Sequence, residues 1–212
     1  MVVLPVFLQA PWVHIYPLSA CLFTLVIVIG GISLVKFGGE KWSILGSLLL
    51  GVSGSWLCGC LFWGWLREYP VWHLPIEALV LPLAFLGVRT VWSIGSAFYL
   101  ASLLGTAFTD LTMLLTGVMD FWPKVVSSQL DQASGILNET AKQLLGYQQL
   151  FWLLFSAIVI LYISKYMKNR SINDDLFSTS WLVASAALTT TLWVDGLFLL
   201  TALIQPRLSG LI

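Results

Sequence analysis

Three acidic side chains lie inside long apolar runs of the chain: Glu77, Asp110 and Asp195. A carboxylate at membrane depth is unfavourable unless it is paired, protonated or faces water, so such residues often serve a proton or cation path. The structural alternative is pairing with Arg89, with a backbone amide, or with a Ser or Thr across a helix interface. We expect Asp110 and Asp195 to lie at different depths, which argues against a single carboxylate pair.

Two histidines are the other candidates for chemistry, His14 and His73. Four residues separate His73 from Glu77, so on a helix they share a face, and a hydrogen bond between them is the simpler interpretation. A neutral imidazole can also ligate the metal of a chlorophyll or a haem. The second hypothesis is therefore a pigment or haem ligand at His73 and His14, with chlorophyll or carotenoid as the candidate pigments. A tryptophan-rich patch could line a pigment or lipid surface, although an aromatic belt at the membrane interface is the simpler interpretation; it comprises Trp56, Trp63, Trp65 and Trp72.

Several other kinds of site are not indicated. Cys58 and Cys60 are two residues apart, Cys21 is distant, and no Cys-x-x-Cys or Cys/His cluster suggests a metal site. Neither a glycine-rich nucleotide motif nor a G-x-S-x-G nucleophile motif is present. The formal net charge is zero, which removes the basic footprint expected for nucleic-acid binding. These observations favour a protein without catalysis.

The elements that must position these residues are membrane-spanning helices. Of the 212 residues, 58% are hydrophobic and only 9% are charged, against about 25% charged in soluble domains. We predict an all-α, polytopic transmembrane bundle in a single domain, 1–212. Its six predicted spans are Leu18–Val35, Trp42–Leu66, Leu74–Val88, Ser93–Met119, Gln148–Tyr166 and Ser180–Ile204. The third contains two prolines and is short, so it is either kinked or re-entrant, and five spans would remain if it is re-entrant.

Two rows of small residues at intervals of four predict close helix packing. We expect the second and fourth spans to be packing helices, against each other or against a partner protein. The rows comprise Ser47, Gly51, Ser55 and Gly59 in the second span, and Ala97, Ala101, Gly105 and Thr109 in the fourth.

Two further segments are predicted to lie at the membrane surface. Residues 1–17 contain three prolines and read as an interfacial segment. Residues 124–146 carry one apolar stripe at helical spacing, comprising Val126, Leu130, Ala133 and Leu137, and predict an amphipathic helix against lipid or a partner.

The basic residues predict the orientation of the bundle. With six spans, one side carries six basic residues and the other four, which places both termini and the amphipathic helix outside. The six are Lys36, Lys41, Arg89, Lys165, Lys168 and Arg170; the four are Arg67, Lys124, Lys142 and Arg207.

Three segments, Leu4–Trp12 (LPVFLQAPW), His73–Ala78 (HLPIEA) and Leu103–Leu111 (LLGTAFTDL), resemble an uncharacterised integral membrane family of cyanobacteria over residues 4–125. The resemblance implies a thylakoid or plasma membrane location and raises the expectation of an accessory or assembly subunit of a photosynthetic complex. It transfers no catalytic residue. The alternative, motivated by the three carboxyls, is a small transporter or an ion- or substrate-binding membrane subunit.

Overall fold

The computed structural model describes residues 9–174 and 176–205, and this part of the chain is helical with no strand. Residues 1–8 of the predicted interfacial segment, and Arg207 from the orientation argument, lie outside it. The principal helices are α1 (Ala10–Ile15), α2 (Pro17–Phe37), α3 (Gly39–Leu61), α4 (His73–Glu77), α5 (Leu81–Gly87), α6 (Ser93–Thr116), α7 (Trp122–Ser127), α8 (Leu130–Gln143), α9 (Tyr147–Asn173) and α10 (Ser178–Ile204).

Six helical segments are long and apolar enough to cross a membrane. They are Pro17–Phe37, Gly39–Leu66, Pro70–Gly87, Ser93–Thr116, Tyr147–Asn173 and Ser178–Ile204. Large apolar side chains such as Leu22 and Ile29 on α2, and Phe155 and Ile158 on α9, point outward and are exposed. A soluble monomer rarely exposes such contiguous apolar faces, so these helices suit contact with lipid. The predicted all-α transmembrane fold is confirmed.

Two glycines with positive φ separate helices that would otherwise run on. Gly39, the first residue of α3, has a φ of 69°, and Gly117, directly after α6, has a φ of 74°. At Gly117 the amide donates to the carbonyl of Leu114, and the next amide, of Val118, donates to Met113. A left-handed residue after the last helical turn satisfies carbonyls that the helix itself leaves open, and glycine adopts it without steric cost.

The third span is broken rather than continuous. A 3₁₀ turn at Pro70–Trp72 leads into α4, and Ala78–Val80 separate α4 from α5. The hydroxyl of Tyr99 on α6 donates a hydrogen bond to the backbone carbonyl of Glu77, which the break leaves without a helical partner. This hydrogen bond satisfies the carbonyl and ties a span that contains three prolines to α6.

The two small-residue rows pack mainly inside the chain. The amide of Gly95, at the start of α6, donates to Ser47 Oγ on α3 over 3.1 Å. A methyl group added to Gly51 would overlap the backbone of Gly95, and one added to Gly105 would overlap the side chain of Thr191 on α10. Ser47 and Gly51 of the α3 row therefore meet α6, whereas Gly105 of the α6 row meets α10.

Residues 122–143 form two helices, not the single helix predicted over 124–146. Ser128 and Gln129 are extended and separate α7 from α8. Val125, Ala133 and Leu137 are buried against the end of α10, but Leu130 is half exposed. The break rotates α8 relative to α7, so one stripe no longer continues across both. The side chain of Asn138 also donates to the carbonyls of Ala202 and Leu203 at the end of α10.

The segment that begins the described chain docks into the end of the bundle. The side chain of Gln9 is buried, donates to the carbonyl of Trp56 over 2.6 Å, and packs against Gly59. Val13 on α1 is buried in a cluster with Trp56 and Cys60. Gln9 and α1 therefore cover this end of the bundle, and α7 and α8 lie at the same end.

Candidate intramembrane binding site

One cavity of about 410 Å³ brings most of the predicted polar residues together. It lies between α6, α9 and α10, with α7 and α8 covering one end. His73, Asp110 and Asp195 are its ionisable lining residues, and most of the remaining wall is apolar. Cavities of this size with few polar groups are typical of small-molecule sites.

Asp110 is paired with His73, which belongs to a different span. The Nδ1 atom of His73 lies 2.9 Å from Oδ1 of Asp110 and 3.1 Å from Oδ2. With Asp110 ionised, Nδ1 carries the proton and donates it, which leaves Nε2 as the nitrogen available to a ligand. The predicted hydrogen bond between His73 and Glu77 is wrong: the turn of α4 directs the imidazole towards α6, although both residues occupy the same short helix.

Asp195 is held by a hydroxyl on the neighbouring helix. Thr109 Oγ1 donates to Asp195 Oδ2 over 2.7 Å, and no other described residue donates to this carboxyl. This is the Ser or Thr contact across a helix interface that was one alternative for the buried acids. A neutral donor compensates a carboxylate only in part in a low-dielectric interior.

Asp110 and Asp195 lie at the same depth, so the prediction of different depths is wrong. Contacts between Ser93 and Ser180 and between Thr109 and Asp195 show that α6 and α10 run parallel in matching register. The two acids lie equally far from the first residues of their helices. Since α9 is the membrane-crossing helix between these two spans in sequence, both run in the same direction through the bundle.

Among the described residues, neither Glu77 nor Arg89 forms a hydrogen bond or an ion pair with Asp110 or Asp195. The Glu77 carboxyl has no hydrogen-bond partner among the described residues, whereas its backbone carbonyl accepts from Tyr99. Arg89 is exposed beyond the end of α5 and forms no ion pair with a described residue, so the suggested pairing with the buried acids is wrong. It lies at the opposite end of the third span from His73 and Glu77.

Aromatic rings surround the His73 imidazole. A π-helical turn at 62–66 follows α3 and places Phe62 with its ring centroid 4.5 Å from that of His73. Trp122, the first residue of α7, lies 6.2 Å from His73, and its indole donates to the carbonyl of Arg67 over 2.6 Å. This bond satisfies an end-of-helix carbonyl and ties α7 to the edge of the site. Trp122 was not among the site residues predicted from the sequence.

His14 lies in a separate, exposed environment. Its Nδ1 accepts a hydrogen bond from Arg67 over 2.7 Å, which assigns the neutral form of the ring. Partial burial, and then the positive charge of Arg67, lower the pKa of His14. His14 and His73 thus have different partners. In His73 the Nε2 atom is left for a metal, whereas in His14 the Nδ1 atom accepts from Arg67 and Nε2 carries the ring proton. The pigment or haem ligand hypothesis stays a prediction.

A second cavity, of about 450 Å³, lies between α2, α3, α5 and α6. Its lining is mainly apolar but includes the hydroxyl residues Thr24, Ser53 and Ser96, with Tyr99 as its ionisable side chain. The three cysteines are free, and the described residues contain no cluster of three or more His, Cys, Asp or Glu side chains able to hold a metal ion. Of the two cavities, the one between α6, α9 and α10 is therefore the one with acidic and imidazole side chains on its wall.

The fold and the cavity define a polytopic helical protein of the membrane-spanning class with an intramembrane pocket. The chain belongs to the family described as "Protein of unknown function (DUF3120)", whose model matches residues 1–203. The match extends well beyond residues 4–125, over which the resemblance was traced. No curated protein and no solved structure matches the chain.

Proposed function

We propose that this protein binds a small, largely apolar molecule in the cavity between α6, α9 and α10, as the substrate site of a transporter or of a membrane-embedded binding subunit. The observation that carries the proposal is the convergence of His73, Asp110 and Asp195, from three different spans, on one cavity of about 410 Å³. Intramembrane ionisable residues that face a cavity are the usual anchors of membrane substrates.

The wall chemistry supports an amphipathic occupant. The apolar part of the lining includes Phe108, Leu153 and Leu199, which offer contact to a hydrocarbon or aromatic body. The hydroxyls of Thr112 and Ser156 lie 2.6 Å apart across the α6–α9 interface and satisfy each other. The carboxyls and the imidazole therefore remain the polar groups that would orient a ligand.

The accessory-subunit hypothesis has less support in the packing of this chain. It depended on the surface helix, on the absence of a catalytic motif and on small-residue faces that would receive a partner helix. Of those faces, Gly51 is packed against Gly95 and Gly105 against Thr191. A role in a photosynthetic complex, a thylakoid location and an orientation with both termini outside stay expectations from the resemblance and from the basic residues.

Binding of a neutral fluorescent probe tests the proposal. Purified protein in phosphatidylcholine nanodiscs is titrated with N-phenylnaphthylamine, whose emission rises in apolar sites. Ala157→Phe places a ring in the cavity, since Ala157 lines it, whereas the same change at the exposed Ala186 on α10 serves as the matched control. We expect A157F to weaken saturable binding at least about tenfold, equivalent to about 1.4 kcal/mol, and A186F to leave it unchanged. Equal binding by both folded variants would exclude the cavity as the site.

A further inference from the structure

The ionisable groups on the cavity wall favour one sign of ligand charge. They are Asp110, Asp195 and the imidazole of His73, and the lining contains neither Lys nor Arg. With both carboxyls ionised, the wall carries net negative charge whichever form His73 takes. An anionic ligand would meet this charge without a fixed cation to balance it, so the wall discriminates against anions.

The hydrogen bonds of Asp110 and Asp195 show which of the two carboxylates has less compensation for its negative charge. Asp110 has the imidazole of His73 within 2.9 Å, a partner that can carry positive charge. Asp195 has only the hydroxyl of Thr109 among the described residues, and this leaves Oδ1 without a donor. Buried charges are normally paired, so a ligand cation would complete the environment of Asp195.

The aromatic lining distinguishes an organic cation from a metal ion. Trp63 and Trp122 line the cavity with ring centroids 5.5 Å apart, and Phe108 and Phe198 lie on its wall. Aromatic faces attract ammonium groups and also contact an apolar body. A hard metal cation instead needs about six oxygen ligands, which this mainly apolar wall does not offer.

We propose that the cavity selects organic cations: an amine or quaternary ammonium group on a small apolar body, with the positive group beside Asp195 and Asp110. This inference rests on the proposed function, because it names the ligand class of the same cavity. Coulombic attraction to the two carboxylates favours the cation over a neutral molecule of equal shape, and desolvation of the ligand's charge opposes that preference.

Three probes with one body and different charges test the proposal. Phenylbutylamine is cationic at neutral pH, phenylbutanol is neutral and phenylbutyrate is anionic. Each displaces N-phenylnaphthylamine from the full chain in phosphatidylcholine nanodiscs, and binding that persists in A157F is subtracted as partition into lipid. We expect the amine to bind at least about tenfold more tightly than the alcohol, and the carboxylate most weakly.

Asp195→Asn separates charge from shape, because the amide keeps the volume and an acceptor for Thr109. We expect D195N to weaken the amine about tenfold and to leave the alcohol within about twofold. Equal binding of amine and alcohol, or equal weakening of both in D195N, would overturn cation selectivity while the cavity remains a binding site. If A157F weakens the binding of none of the three probes, the cavity is not a binding site and the proposed function itself is wrong. If D195N does not fold, the order of the affinities of the three probes for the unmodified protein still tests cation selectivity.

Discussion

Thr109 on α6 donates a hydrogen bond of 2.7 Å to the carboxylate of Asp195 on α10, and this contact places Asp195 beside Asp110 at one depth in the bundle. The contact depends on the parallel register of two spans that are 86 residues apart in sequence at this point. The hydrogen bond links the α6–α10 interface to the cavity wall, so the first prediction concerns its contribution to stability.

Removing this donor should destabilise the bundle modestly. Thr109→Val keeps the shape but takes away the hydroxyl, and interhelical hydrogen bonds in membranes contribute about 0.6 kcal/mol on average, up to about 1.7. We expect T109V to lower the free energy of unfolding by this amount, measured by denaturant titration in detergent. Thr190→Val is the control, because Thr190 bonds only the carbonyl of Ala186 in its own helix. Equal loss in both variants would mean that the contact with Asp195 contributes nothing.

The crossing of α3 and α6 should not tolerate a single added methyl group at Gly51. A Cβ atom there would overlap the backbone of Gly95, which cannot rotate away as a side chain could. We expect Gly51→Ala to cost about 1–3 kcal/mol, because the helices must separate, and Gly51→Leu to prevent accumulation of folded protein. Size-exclusion profiles and thermal melting measure both.

Gly196→Ala is the matched control for G51A, since a methyl group at Gly196 meets nothing within 4 Å. It should leave melting unchanged or raise it slightly, because alanine favours helix by about 1 kcal/mol over glycine. A G51A variant as stable as G196A would show that the α3–α6 crossing is looser than described here.

Two leucines on α8 should respond differently to the same substitution. Leu137 is buried against α10, whereas Leu130 is half exposed. Leu137→Asp places a carboxylate in an apolar contact and should detach α8, which speeds tryptic cleavage at Lys142 in nanodiscs. Leu130→Asp should leave the cleavage rate near that of the unmodified protein. Equal acceleration by both would support a helix held by lipid through one continuous stripe, as the sequence alone predicted.

The loop between α9 and α10 should confer acid-sensitive stability through Asp174. Its Oδ1 accepts from the amides of Phe177 and Leu176, and its Oδ2 accepts from the indole of Trp181 over 3.1 Å. The Phe177 amide first, and then the Trp181 indole, lower the pKa of Asp174. A lowered folded-state pKa gives stabilisation that is complete above the unfolded value of about 3.9 and is lost as pH falls through the folded value.

The melting temperature against pH tests this contribution. Unmodified protein should melt above Asp174→Asn at neutral pH, and the gap should close as the pH falls below about 4. Asp120→Asn is the control, because the Asp120 carboxyl makes no hydrogen bond to a described residue. A gap that stays constant down to acid pH would show that the charge of Asp174 does not stabilise the loop.

Part of the candidate site was visible in the sequence, because intramembrane ionisable residues are rare and conspicuous. Asp110, Asp195 and His73 were all identified from their place in apolar runs. Their pairing was assigned wrongly, since local spacing favoured His73 with Glu77 over His73 with Asp110 on another span. Equal offsets of Asp110 and Asp195 within parallel spans were a signal that could have placed them together.

The sequence by itself determined the apolar helical segments, because the length of an apolar run and the satisfaction of backbone hydrogen bonds within each helix are local properties. For the third segment it left open whether the helix is kinked or re-entrant. Only the tertiary structure decided which faces meet. The contacts of Gly51 with Gly95 and of Thr109 with Asp195 set the register between helices, and the break at Ser128 turned α8 onto α10. These relationships depend on the close fit of side chains between distant segments, which no spacing within one helix encodes.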